Sequence, residues 1–93
     1  MKYVIISRHP AAVEFIRASH PEFADAPVIT GNATALDTMG KFVAGNIPLH
    51  LAAVAEAVFS IEFEGAPPRG QEYGIEEMKA AGARLVKYIV RGA

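Results

Sequence analysis

The stretch Lys2-Tyr3-Val4-Ile5-Ile6-Ser7-Arg8-His9-Pro10 decides the fold class. Its β-branched apolar centre shows no two-residue alternation, which is the pattern of a strand buried on both faces of a parallel sheet. Pro10 suits the first turn of a helix. The residues after it have helical spacing, with Ala12, Val13 and Ile16 on one face and Glu14 and Arg17 off it. This helix covers Ala11–Ser19 and ends at Ser19-His20-Pro21. A strand, a short polar turn and a helix in that order are the opening unit of an α/β protein.

The same alternation continues along the chain. Pro27–Thr30 predicts a second strand, and Gly31–Gly40 a small polar loop with room for one helical turn at Ala33–Met39. Lys41–Ala44 predicts a third strand. Gly45-Asn46-Ile47-Pro48 then opens a helix to about Ala57 that is Ala-rich, nearly apolar all round and therefore expected to be buried. Val58–Phe63 predicts a fourth strand, Glu64–Tyr73 a Pro- and Gly-containing loop, and Ile75–Ala81 a short helix with Glu76 and Glu77 at its favourable end. Arg84–Val90 alternates apolar and polar residues, as an edge strand does. The expectation is one α/β domain over residues 1–93, a sandwich around a mostly parallel sheet of about five strands. The link between the second and third strands is the weak point, because a parallel pair needs a crossover of about a dozen residues.

Composition narrows the function. The chain has 93 residues, 52% of them apolar and 20% charged, so it is not a disordered segment. Its formal charge is −1, from nine Lys and Arg against ten Asp and Glu. A protein that tracks a nucleic-acid backbone is usually basic throughout, so no DNA partner is expected and an anionic ligand should be small and locally held. Without cysteine there is no disulfide framework or thiolate chemistry. The three histidines have no ligand spacing, so neither a metal nor another cofactor is expected. The apolar stretch 49–59 is broken by His50 and Glu56 and is shorter than the roughly 20 residues of a membrane span. A cytoplasmic protein without membrane contact is the expectation, and the apolar share points to a homodimer.

Tyr3–Pro10 and Lys41–Pro48 repeat one design, an apolar strand, a short turn, a proline and an Ala-rich helix. Aligning the prolines sets Ser7 over Gly45, Arg8 over Asn46 and His9 over Ile47. Both turns fall at carboxyl ends of strands, where ligands of open α/β sheets bind, and both precede helix N-termini, which attract phosphate. Arg8 and His9 join a permanent cation to a group that titrates near neutrality; the plainer reading is a solvated arginine and a capping histidine. Gly45-Asn46 offers a bare backbone and a side-chain amide, or an ordinary turn. His50 reads either as a rim residue or as a hydrogen-bonded core histidine. Arg69 sits in the Pro-rich loop as a phosphate ligand or as a solvated side chain. Tyr88 on the last strand reads as core or dimer packing.

Three blocks of the chain together resemble a known family. Arg8-His9-Pro10 with Ala12 and Glu14 is similar to the N-terminal RH-x-(G/A)-A-x-E signature of the CRISPR-associated Csx-sixteen family. Gly45-Asn46-Ile47-Pro48-Leu49-His50-Leu51-Ala52-Ala53 resembles that family's G-T-L-P-V-H-L-A-A, with Asn46 in place of threonine. Arg69-Gly70, Glu72, Glu76, Glu77, Leu85, Tyr88 and Val90 resemble its C-terminal block. Lys41 stands where the family has aspartate. The resemblance implies a Rossmann-like, CARF-like three-layer sandwich that dimerises around a cyclic oligoadenylate. It also implies a metal-independent ring nuclease that cuts cyclic tetra-adenylate and so switches off type III CRISPR effectors. Arg8 and His9 would then be catalytic, and Ser7, Gly45, Asn46, Ile47, Pro48, His50 and Arg69 would bind the ligand. A sponge that holds the same ligand uncut, and a small α/β interaction subunit, are the alternatives.

Overall fold

Tyr3–Ile6 forms the first strand, β1, of a computed structural model that describes residues 2–65 and 74–93. The chain continues through α1 (Pro10–Ser19), a 3-10 turn (Pro21–Phe23), β2 (Val28–Ile29), α2 (Ala35–Thr38) and β3 (Phe42–Ala44). It ends with α3 (Leu49–Ala52), β4 (Ala57–Phe63), α4 (Ile75–Ala80) and β5 (Ala83–Tyr88). The five strands make one sheet in the order β2-β1-β3-β4-β5. The first four are parallel, and β5 closes one edge antiparallel to β4. The architecture is the Rossmann-like α/β sandwich expected from the strand–helix alternation. No helix among the described residues is long and apolar enough to cross a membrane.

The strand order shows what the link between β2 and β3 does. The two strands do not pair; they lie on opposite sides of β1, with Ile5 opposite Val28 and Tyr3 opposite Phe42. Residues 30–41, including α2, are the crossover. Thr34 and Asp37 set that helical turn. The Thr34 backbone N–H donates to the Asp37 carboxylate at 2.7 Å, and this bond holds Asp37 below its usual pKa.

β1 is buried on both faces, as its apolar run requires. Tyr3 and Ile5 face a cluster with Ile16 of α1, Phe23 and Phe59. Val4 and Ile6 face a second, smaller cluster with Val43, flanked by Ile29, Ala33, Ile47 and Ala55. The first layer is held by the long helix α1 and by α4, whose Met78 is fully buried. Phe23 packs edge-on against Tyr3 and Phe59, at centroid distances of 5.2 and 5.4 Å.

The helix expected from Pro48 to Ala57 is much shorter. α3 stops at Ala52, and the next two turns tighten, with Val54 N–H donating to Leu51 and Ala55 N–H to Ala52. The sheet takes the rest: Glu56 N–H donates to Lys41 carbonyl at 2.8 Å, and Ala57 pairs with Phe42. Strand pairing overrides the helical preference of the alanines. The helix is not buried all round either; only Leu51 and Ala52 are, while Leu49 is 76% exposed. Tyr88 is neither core nor fully exposed: its hydroxyl donates to Glu62 across the β4–β5 pair, and that bond raises its pKa.

Phe23 has no exposed surface and joins three aromatic neighbours. Phe23→Ala should therefore cost about 3–5 kcal/mol, the range for emptying a large core position. Urea unfolding followed by circular dichroism measures it. A loss under about 1 kcal/mol would show that the first layer does not depend on this ring.

Candidate ligand cleft at the β1–β3 rim

The strand order creates the site. β1 runs on into α1, which covers one face, whereas β3 runs on into α3, which covers the other. The two connections leave the rim in opposite directions and open a crevice between them, the position where open α/β sheets bind ligands. The crevice is a cleft of about 520 Å³, within the range of roughly 300–1,000 Å³ that takes a small-molecule ligand.

The turn after β1 is built locally. Ser7 Oγ accepts the His9 backbone N–H at 3.1 Å, a hydroxyl turn that places Arg8 at its apex. Arg8 Nε donates to the Thr30 carbonyl at 3.0 Å and so ties the guanidinium to the end of β2. That bond uses one of five N–H donors. His9 occupies the N-cap position of α1, and its carbonyl accepts from Val13 N–H at 3.1 Å. The plainer reading of that histidine holds for its position, although its side chain makes no capping bond. Pro10 follows as the first helical residue. The first-turn N–H groups of Ala11 and Ala12 have no carbonyl four residues back within the helix.

The turn after β3 is governed by close approach. Gly45 is buried with φ +133°, and a Cβ there would lie 2.0 Å from the Ile6 carbonyl oxygen. Its bare backbone therefore meets β1, and that contact rather than approach to a ligand dictates glycine. Its N–H donates to the Phe59 carbonyl at 2.9 Å, which fastens the same turn to β4. Asn46 is exposed and accepts from Ser60 Oγ at 3.3 Å. Ile47 is half-buried against the second cluster, and Pro48 is exposed. His50 is exposed on α3, which removes the core reading of that residue. α3 has only four residues, so its dipole is too short to match that of α1.

Ser7, Arg8, His9, Gly45, Asn46, Ile47, Pro48 and His50 all line this one cleft. Arg69 lies outside the described residues. The wall formed by Thr30-Gly31-Asn32-Ala33 was not anticipated, although it too follows a strand at its carboxyl end. Also unanticipated were Ala12 and Ile16 of α1 and Ile61 and Phe63 of β4. No aspartate or glutamate lines the cleft among the described residues, while Arg8 does, with His9 and His50. The local charge favours an anion although the whole chain is slightly acidic.

A Rossmann-like domain with an anion-favouring cleft at its topological switch point is the class that fold and site define. Residues 4–91 match the model of the family described as "Putative CRISPR-associated protein (Cas_VVA1548)", and the chain belongs to that family. No curated protein and no solved structure matched the chain.

Gly45→Ala should destabilise the fold by about 2–4 kcal/mol, from backbone strain and the clash with Ile6. Gly31→Ala is the control, because nothing lies within 4 Å of its added methyl; it should change stability by less than about 0.5 kcal/mol. Equal unfolding midpoints for the two variants would refute the role given to Gly45.

Proposed function

We propose that this CRISPR-associated protein is a Csx-sixteen-like ring nuclease that binds cyclic tetra-adenylate and cuts it without a metal ion. The observation that carries this reading is the cleft itself. Arg8, His9 and the α1 N-terminus stand on one wall, Asn46 and His50 on the other, with no acidic side chain among the described lining residues.

The reaction asks little of the protein. A ribose 2′-hydroxyl attacks the adjacent phosphorus, the 2′-oxygen–phosphorus bond forms and the bond to the 5′-oxygen breaks. The hydroxyl proton leaves, and the departing 5′-oxygen takes one up. The products are a 2′,3′-cyclic phosphate and a free 5′-hydroxyl. Catalysis then consists of holding the hydroxyl in line and stabilising charge on the phosphate oxygens. Arg8 and the first turn of α1 supply that charge stabilisation, and the His9 imidazole is the group placed to pass a proton. A ring of four nucleotides exceeds what one such cleft holds. A homodimer that presents two clefts about a two-fold axis matches the symmetry of the ring.

Purified protein should linearise cyclic tetra-adenylate under single-turnover conditions in EDTA. Cleavage that vanishes in EDTA and returns with manganese would sink the metal-free mechanism. Tight binding without any cutting would select the sponge. Sedimentation velocity with the ligand should show a dimer; a monomer saturated with ligand would exclude the shared site.

Arg8→Ala should lower the single-turnover rate by roughly tenfold to a thousandfold, the range for losing one charge-stabilising donor. His9→Ala should cost less if positioning dominates, and as much if the imidazole moves the proton. Wild-type cleavage by folded Arg8→Ala would remove Arg8 from the site.

A further inference from the structure

We infer that the part of the cleft bounded by α1 and β4 is a slot for the flat ring of a nucleobase, with Phe63 as its stacking surface. The inference rests on the reading of the site as a nucleotide site and adds where the base goes and how it is recognised.

Two independent periodicities converge there. Ala12 and Ile16 lie four residues apart on α1 and so share one stripe of the helix. Ile61 and Phe63 lie two apart on β4 and so share one face of the strand. All four line the cleft. Ile16 is completely buried, and Ile61 packs against its cluster, so the two elements meet there. Phe63 is half-buried at the last position of β4. None of the four side chains carries a polar atom. Ala12, the smallest, stands less than one helical turn from His9, where the polar half of the cleft begins.

The cleft is therefore amphiphilic, with a cation after β1 and apolar side chains on α1 and β4. Inorganic phosphate would leave the walls unused, and an apolar molecule would leave Arg8 unused. A nucleotide uses both halves. A base face stacks on an aromatic ring whatever its identity. With no polar atom on these four side chains, their contact with a base reads area rather than hydrogen-bonding edge. A purine, with more apolar area to bury, binds better than a pyrimidine.

The test is a methyl NMR titration of the full chain with AMP and with ribose 5-phosphate, each in millimolar excess. The probes share a phosphate and differ by the base. AMP should shift the Ile16 and Ile61 methyl resonances, and ribose 5-phosphate should not. Phe63→Leu should weaken AMP binding about fivefold to a hundredfold, the range for one lost base–aromatic stack, and leave ribose 5-phosphate binding unchanged. Ala12→Leu, which fills the slot from the opposite wall, should do the same and serves if Phe63→Leu does not fold. The slot is overturned if both probes shift the same resonances, if neither shifts any, or if a folded variant binds AMP like the wild type. A slot that takes AMP in a protein that ignores cyclic tetra-adenylate would refute the ring-nuclease reading alone. Tight ring binding that leaves Ile61 unmoved and survives both substitutions would refute the slot alone.

Discussion

The contact between the Ile6 carbonyl and the backbone of Gly45 is the constraint on which the rest depends. β1 and β3 run side by side, and at the rim their chains touch so closely that a single methyl group would sit inside the Ile6 oxygen. Because Gly45 also bonds to Phe59, the same residue fixes β4 beside β3. From this point the two chains part, one toward α1 and one toward α3. Without the close approach the turns would not face each other, and residues nearly forty positions apart in sequence would not share a cleft.

The two turns look alike in sequence but act differently. Alignment on Pro10 and Pro48 is one residue out of step with the pairing of β1 and β3, which sets Tyr3 opposite Phe42. α1 has ten residues and a full first turn of backbone donors, whereas α3 has four. Positive charge and free backbone donors are thus concentrated on the β1 side, where Arg8 is also anchored to Thr30. The β3 side contributes shape and neutral polar groups through Asn46 and His50. The lopsided arrangement suits a ligand with one anionic and one flat apolar part. It also separates the residues that would act on phosphate from those that would hold a base.

Much of the candidate site was legible because it is local. Ser7, Arg8 and His9 lie within one turn, whose hydroxyl-to-backbone bond spans two residues. Pro10 announces the helix, and the carboxyl end of a strand is where such turns bind ligands. The walls from Ala12, Ile16, Ile61 and Phe63 were not legible. Each reads as core by its spacing, and Ala12 and Ile16 are indeed buried; only the tertiary structure shows that all four border the crevice. The Thr30–Ala33 wall was missed although the strand before it was predicted, because only the pairing of β2 with β1 brings its end to this rim.

The sequence by itself determined the α/β class, the buried central strand, the edge character of β5 and the cation beside a helix N-terminus. These follow from interactions over a few residues: side-chain periodicity, proline geometry and backbone turns. Only the tertiary structure decided the strand order, the length of α3 and the meaning of Gly45. The first places β1 between β2 and β3 and makes residues 30–41 a crossover. The second was settled when pairing with β3 claimed Glu56 and Ala57, which local preference would leave in a helix. The third depends on a carbonyl thirty-nine residues away. Each is a contact between segments distant along the chain, and such contacts leave no periodic trace in the sequence because the partner's position is set by the whole sheet.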